Sequence, residues 1–174
     1  MEIFDPTYAA TDASSGASPL KPINFARDSI VMFSNSKPNA PELLDGIRSK
    51  LHSQYERSDI DFVKKDTASL PAPKPLIEQV ASQYQIAIHA LGDCGSCSSY
   101  CFQDSLELER RGVATFIVVT TVFEKLVQAH AGIAGIEPRL IVLDHPVAGL
   151  TPDALQARID QAFGLLLNYQ SAVV

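Results

Sequence analysis

Val113-Ala114-Thr115-Phe116-Ile117-Val118-Val119-Thr120 (VATFIVVT) carries no charge, and six of its residues are β-branched. A strand wet on one face alternates apolar with polar residues, so an unbroken apolar run of this kind reads as a strand covered on both faces, the habit of a parallel sheet. On its N-terminal side a helix starts at Ser96 or Cys97, runs to about Arg111 and is closed by Gly112. On its C-terminal side Thr121, or the residue before it, is expected to cap a helix to about Gly132. Arg139 to Leu143 (RLIVL) then makes the last strand. Thr151-Pro152-Asp153 opens a closing helix, with Leu155, Ile159, Phe163 and Leu166 at helical spacing.

The same alternation extends toward the N-terminus. Ser29 to Ser34 (SIVMFS) is a β-rich run, followed by a helical pattern from Pro41 to about Tyr55 with Leu43, Leu44, Ile47 and Leu51 on one face. Asn39 is the expected N-cap, and Pro41 sits in the first turn, where its missing N–H is not needed. Ile60 to Lys64 (IDFVK) predicts a second strand, and LPAPKP interrupts regular structure before a helix from about Pro75 to Ser82. Gln85 to Ala90 (QIAIHA) is a further apolar strand, ending at Leu91-Gly92-Asp93. Strands alternating with helices predict an α/β fold: a three-layer α/β/α sandwich on a mainly parallel four- to five-stranded sheet. Residues 1–25, which include the Ser/Ala/Gly/Pro-rich TDASSGASPLKP, read as an extended N-terminal arm outside the sheet, leaving 26–174 as a single α/β domain.

Composition narrows the function. The 174 residues are 46% apolar and 20% charged, which suits one globular domain and excludes collagen, coiled coil and full disorder. Fourteen basic against 20 acidic residues give a net charge of −6 with no basic run, so no nucleic-acid partner is expected. Apolar runs such as Val113 to Val119 and Leu165 to Leu167 fall far short of the roughly 18 residues of a membrane span. No basic, then apolar, leader opens the chain, so a cytoplasmic location and no membrane partner are expected.

In parallel α/β sheets ligands gather where strands end and helices begin. That directs attention to three loops: Asn35 to Asn39, Asp93 to Cys97, and Asp144 to Gly149. The second holds Cys94-Gly95-Ser96-Cys97, with Cys101 one helical turn on. Three clustered cysteines cannot staple distant parts of a fold, so local chemistry is the better explanation. Cys94 is expected just ahead of the helix and Cys97 in its first turn, where the helix dipole and free N–H groups stabilise a thiolate. One sulfur of such a pair can attack a bond and the other release it as a disulfide. Small Gly95 and Ser96 leave the sulfurs reachable. Two other readings stand beside this one: an inert buried pair, and a metal or iron–sulfur site, which lacks a fourth ligand here. No metal is expected, and Cys101 reads as packing.

Asp93-Cys94-Gly95-Ser96-Cys97-Ser98-Ser99, with Gln103-Asp104 and Glu107-Leu108-Glu109-Arg110-Arg111-Gly112, resembles the UGSC-containing family, related to the selenoprotein B subunit of glycine, sarcosine and betaine reductases. The resemblance continues at Asp5-Pro6-Thr7, Asn35-Ser36-Lys37-Pro38-Asn39, Thr120, Phe123 and His145-Pro146. Selenoprotein members have selenocysteine where this chain has Cys94. The resemblance implies redox or nucleophilic thiol chemistry on a small substrate, and relatives in multi-subunit reductases imply a homo- or hetero-oligomer. An ordinary thiol ionises near about pH 8.5, so Cys94 needs help from its surroundings. Asp93 opposes that help unless it shuttles a proton or caps the helix.

The expected supporting groups follow. His145 succeeds the last strand and is read as acid/base toward the thiol or a leaving group, or else as a loop histidine held by a carbonyl. Asn35, Lys37 and Asn39 are suited to a carboxylate, with a solvated lysine as the plain alternative. Asp93, Gly95, Ser96, Thr120 and Thr121 complete the expected substrate contacts, helix capping being the other use of a threonine. His52, His89 and His130 read as structural, and Asp104 and Glu107 as facing solvent or a neighbouring subunit. The function so read is a thiol-dependent, reductase-like enzyme acting on a small carboxylate-bearing substrate. It has no bound cofactor and an external dithiol or thioredoxin-like electron donor. A non-redox cysteine lyase or hydrolase, a non-catalytic subunit and a thiol sensor are the alternatives.

Overall fold

The computed structural model describes residues 21–170, so the arm expected over residues 1–25 lies mostly outside the described residues. Five strands alternate with five helices in chain order. They are β1 (Ile30–Ser34), α1 (Ala40–Tyr55), β2 (Asp61–Lys64), α2 (Lys74–Gln83), β3 (Ile86–Gly92), α3 (Gly95–Arg110), β4 (Ala114–Thr120), α4 (Glu124–Ala134), β5 (Arg139–Leu143) and α5 (Pro152–Asn168). The sheet has the order β2-β1-β3-β4-β5, with every neighbouring pair parallel. The three central strands are buried along their whole length, as the charge-free VATFIVVT run requires.

Helices α1 and α5 cover one face, where Leu43, Leu44, Ile47, Leu155 and Ile159 pack on Ile30, Met32, Ile88 and Phe116. The other face is covered by α2, α3 and α4, through Ile77, Val80 and Leu108, and through Cys101, Phe102 and Val127. The order in which strands are added reverses between β1 and β3, so the loops that leave these two parallel strands flank one crevice.

Where β3 meets β4, Ala90 pairs with Val118 but Gly92 pairs with Val119, so Leu91 is an extra residue in the ladder. Its carbonyl is taken up by the Asn35 side-chain amide at 3.0 Å. The bulge sits immediately before Asp93 and Cys94. Gly92 follows it because there is no room for a side chain: a Cβ there would stand 3.0 Å from both Ser98 Oγ and Val119 Cγ2.

Two capping expectations are corrected. Helix α4 begins after Phe123, not at Thr120 or Thr121, because Thr120 still belongs to β4 and Thr121 N is bound to the Leu143 carbonyl. Asn39 does occupy the N-cap of α1, but in the left-handed region (φ 67°) with no side-chain cap. Its amide instead donates to the carbonyls of Val147 and Leu150, at 2.8 and 3.1 Å.

Candidate functional site

The cysteine turn is built by β3 and α3. Cys94 is the N-cap of α3, in extended conformation, and its Sγ accepts the Cys97 N–H at 3.3 Å. The Ser98 main chain and hydroxyl both donate to the Cys94 carbonyl, at 2.9 and 2.7 Å. These bonds fix Cys94 where the unsatisfied N–H groups and positive dipole end of a 16-residue helix converge. Cys97 lies one turn in, and the two sulfurs are paired as a disulfide with the α-carbons 5.2 Å apart. Cys94 is half-buried, Cys97 is 2% exposed, and Gly95 and Ser96 are exposed. Access from solvent is therefore to Cys94. Ser96 Oγ is 3.7 Å from its sulfur.

Asp93 does not cap α3, since Cys94 does so itself. The Asp93 side chain is 2% exposed and turns toward the β5–α5 loop. Its Oδ2 accepts the main-chain N–H groups of Val147 and Ala148, at 3.3 and 2.8 Å. Its Oδ1, buried, stands 2.9 Å from His145 Nδ1 as an ion-pair contact and accepts no hydrogen bond. The same ring nitrogen is 3.0 Å from Thr120 Oγ1, which lies 3.4 Å from the Gly92 carbonyl. Phe123 meets the ring edge-on at 5.8 Å, and the His145 side chain remains 34% exposed. Thus residues from the ends of β3, β4 and β5 come together around one imidazole.

The remaining expected contacts divide. Asn35 is fully buried: its amide holds Leu91 and the Cys101 sulfur, at 3.0 and 3.4 Å, so it braces the turn from beneath. Asn39 is spent on the β5–α5 loop. Thr120 is buried against His145, while Thr121 is exposed. Lys37 is half-buried beside the crevice, with no acidic partner among the described residues. A separate hollow of about 340 Å³, lined by Lys21, Phe102, Leu106, Thr115, Ile117 and Ile136, opens at the opposite edge of the sheet.

Beneath the turn lies a polar cluster that the sequence did not disclose. His89, within β3, is fully buried, stacks on Phe33 at 4.4 Å and lies 3.7 Å from the Cys101 sulfur. Burial, aided by the Lys65 charge, pushes the His89 ring down to about 3, and burial pushes the Cys101 thiol up to about 12. Cys101 is thus a neutral packing thiol. Asp104 is the clearest departure from expectation: it is 2% exposed and paired with equally buried Lys65 at 2.5 Å, rather than facing solvent. Glu107 does sit at the surface, with Arg110 and Arg111.

Among the described residues no group of three His, Cys, Asp or Glu gathers to hold a metal ion, and no helix is long and apolar enough to cross a membrane. No curated protein matches the sequence. Among solved structures the chain is similar to the flavodoxin-like domain of a Synechococcus sp. protein. The two share 15% identity with a TM-score of 0.42, over 79% of this chain and 95% of that one. The UGSC family matches residues 2–169, nearly the whole chain and all of the cysteine turn, and the protein belongs to that family.

Proposed function

We propose that the protein is a thiol-dependent, reductase-like enzyme in which Cys94 attacks a small carboxylate-bearing substrate, Cys97 resolves the adduct and His145 moves protons. The observation that carries this reading is the seat of the two sulfurs. Cys94 Sγ already accepts a hydrogen bond at the start of α3, and Cys97 lies within bonding reach of it. Helix starts lower thiol pKa values from about 8.5 into a range of about 3.5–7.5, which lets cysteine do work a selenol does unaided.

In the reductive cycle the Cys94 thiolate displaces a leaving group X from substrate carbon R, forming Cys94–S–R. The Cys97 thiolate then attacks the Cys94 sulfur, the C–S bond breaks with its electron pair on carbon, and the disulfide forms. The two thiol protons end on X and on R, so R–X and two thiols give R–H, HX and one disulfide. A dithiol or thioredoxin-like donor returns the two electrons, which suits a reducing compartment such as the cytoplasm. Lys37 and the amides of exposed Gly95 and Ser96 would bind the carboxylate. Membership of the UGSC family and the crevice position support the reading, with the chain working as a homo- or hetero-oligomer.

Intact-mass spectrometry of the reduced protein with α-substituted carboxylic acids tests it. The expected result is a transient adduct on Cys94, then loss of two hydrogens from the peptide holding Cys94 and Cys97. An adduct released without disulfide formation would establish the non-redox lyase or hydrolase route. If Cys94→Ala retained full turnover in the purified assembly, the chain would be a non-catalytic subunit.

A further inference from the structure

The contacts of Asp93 carry more than a place in a loop. Oδ2 is saturated by two main-chain N–H groups, while Oδ1, equally out of reach of solvent, has His145 Nδ1 at 2.9 Å and accepts no hydrogen bond. A carboxylate can only accept. The second neighbour of Nδ1, Thr120 Oγ1, can accept from the ring or donate to it, and its other contact is the Gly92 carbonyl at 3.4 Å, so the carboxylate decides the tautomer. An acceptor-only oxygen 2.9 Å from the nitrogen requires that nitrogen to carry the hydrogen. A bare Nδ1 would set its lone pair against a buried carboxylate oxygen.

From this geometry we infer that Asp93 is a positioning residue that locks neutral His145 as the Nδ1–H tautomer, leaving Nε2 as a bare proton acceptor. The inference rests on the reading of His145 as the proton-moving group. It explains why an acidic residue adjoins a thiol that must ionise: the carboxylate is turned away, tied to Val147 and Ala148, with its free oxygen set against the imidazole. It also accounts for the Thr120 hydroxyl, which serves the ring rather than a substrate. A reversed tautomer would present an N–H donor where the proposed cycle needs an acceptor.

Long-range proton–nitrogen NMR correlations of the ¹⁵N-labelled full chain, reduced and at alkaline pH, report the tautomer directly. The His145 signals are assigned by loss in His145→Gln. The wild type is expected to show Nδ1 protonated and Nε2 bare. In Asp93→Asn the amide oxygen takes over the Val147 and Ala148 donors, the amide NH₂ faces Nδ1, and the signals should move to the Nε2–H pattern. Alkylation of Cys94 at neutral pH should slow about tenfold or more alongside. Thr120→Val should keep the wild-type tautomer, because the carboxylate alone suffices. An Nε2–H pattern in the wild type overturns the inference even if Asp93→Asn does not fold, and so does an unchanged tautomer in a folded Asp93→Asn. If the Nδ1–H tautomer is found but His145→Gln leaves thiol reactivity and turnover intact, the geometry stands and the enzymatic role of His145 falls.

Discussion

Replacing Asp104 by alanine separates the structure from what the sequence led one to expect. A helix-surface aspartate changes stability by no more than about 0.5 kcal/mol when truncated. Asp104, however, shares a site with Lys65 in which both side chains are 2% exposed, at 2.5 Å separation. Its Oδ1 also holds the Ala72 N–H at 2.8 Å, and the Lys65 ammonium has Leu70 O at 2.7 Å as its remaining hydrogen-bond acceptor. Asp104→Ala therefore leaves a buried ammonium without its counter-charge and a main-chain donor without its acceptor. Stranding one member of a buried pair costs about 3–5 kcal/mol. For a domain of this size that lowers Tm by roughly 6–20 °C. Urea unfolding of the wild type, Asp104→Ala, Lys65→Met and the double variant Lys65→Met/Asp104→Leu closes a cycle. The double variant, carrying no buried charge, should lie within about 1–2 kcal/mol of wild type. A single-variant loss under about 1 kcal/mol would show that the pair is solvated, and the burial argument would fail.

Three further outcomes follow from the geometry around the turn. Gly92→Ala should destabilise by about 1–3 kcal/mol, because its Cβ meets Ser98 and Val119, while Gly95→Ala, which faces open space, should stay within about 0.5 kcal/mol of wild type. Urea midpoints at unchanged m-value decide this. Buried His89 stays neutral down to about pH 3 in the folded chain, whereas it protonates near 6.5 when unfolded. Between those values the unfolded state holds the extra proton, so stability should fall with decreasing pH by about 1 kcal/mol per unit, and His89→Gln should flatten the slope. The carboxyl of Asp104, raised by burial, acts in the opposite sense at the acid end, so pH 5 to 6.5 is the range to compare. Finally, Cys101, buried with its thiol pushed up to about 12, should resist iodoacetamide in the native protein at pH 8 and react in urea; labelling in the folded state would contradict its placement.

The layered fold was legible because periodicity and burial agree: the charge-free run ending at Thr120 could be satisfied only with helices on both sides. The cysteine turn was legible too, since a strand, a Gly/Ser turn and a helix start are all local features. What escaped was non-local. Nothing near Asp104 announces that Lys65, 39 positions earlier, lies against it. Asn35 and Asn39 carry the right groups to hold an anion, but a bulged strand and a returning loop claim their amides first. Asp93 sits beside Cys94 in sequence, yet serves a ring 52 residues on: side chains at the end of a strand alternate in direction, and its own points toward β5–α5. The extra residue at Leu91, which re-aims that strand end, leaves no mark in an apolar pattern.

The claim on which the functional reading rests is that the helix start makes the Cys94 sulfur acidic. The rate of Cys94 alkylation in the reduced protein, followed by peptide mass spectrometry from pH 5 to 10, measures this. It should rise with an apparent pKa at least about one unit below the 8.5 of a free thiol, and shift upward when Cys97→Pro removes the N–H that Cys94 accepts. A midpoint at or above 8.5, or a sulfur that does not react below pH 10, would contradict it.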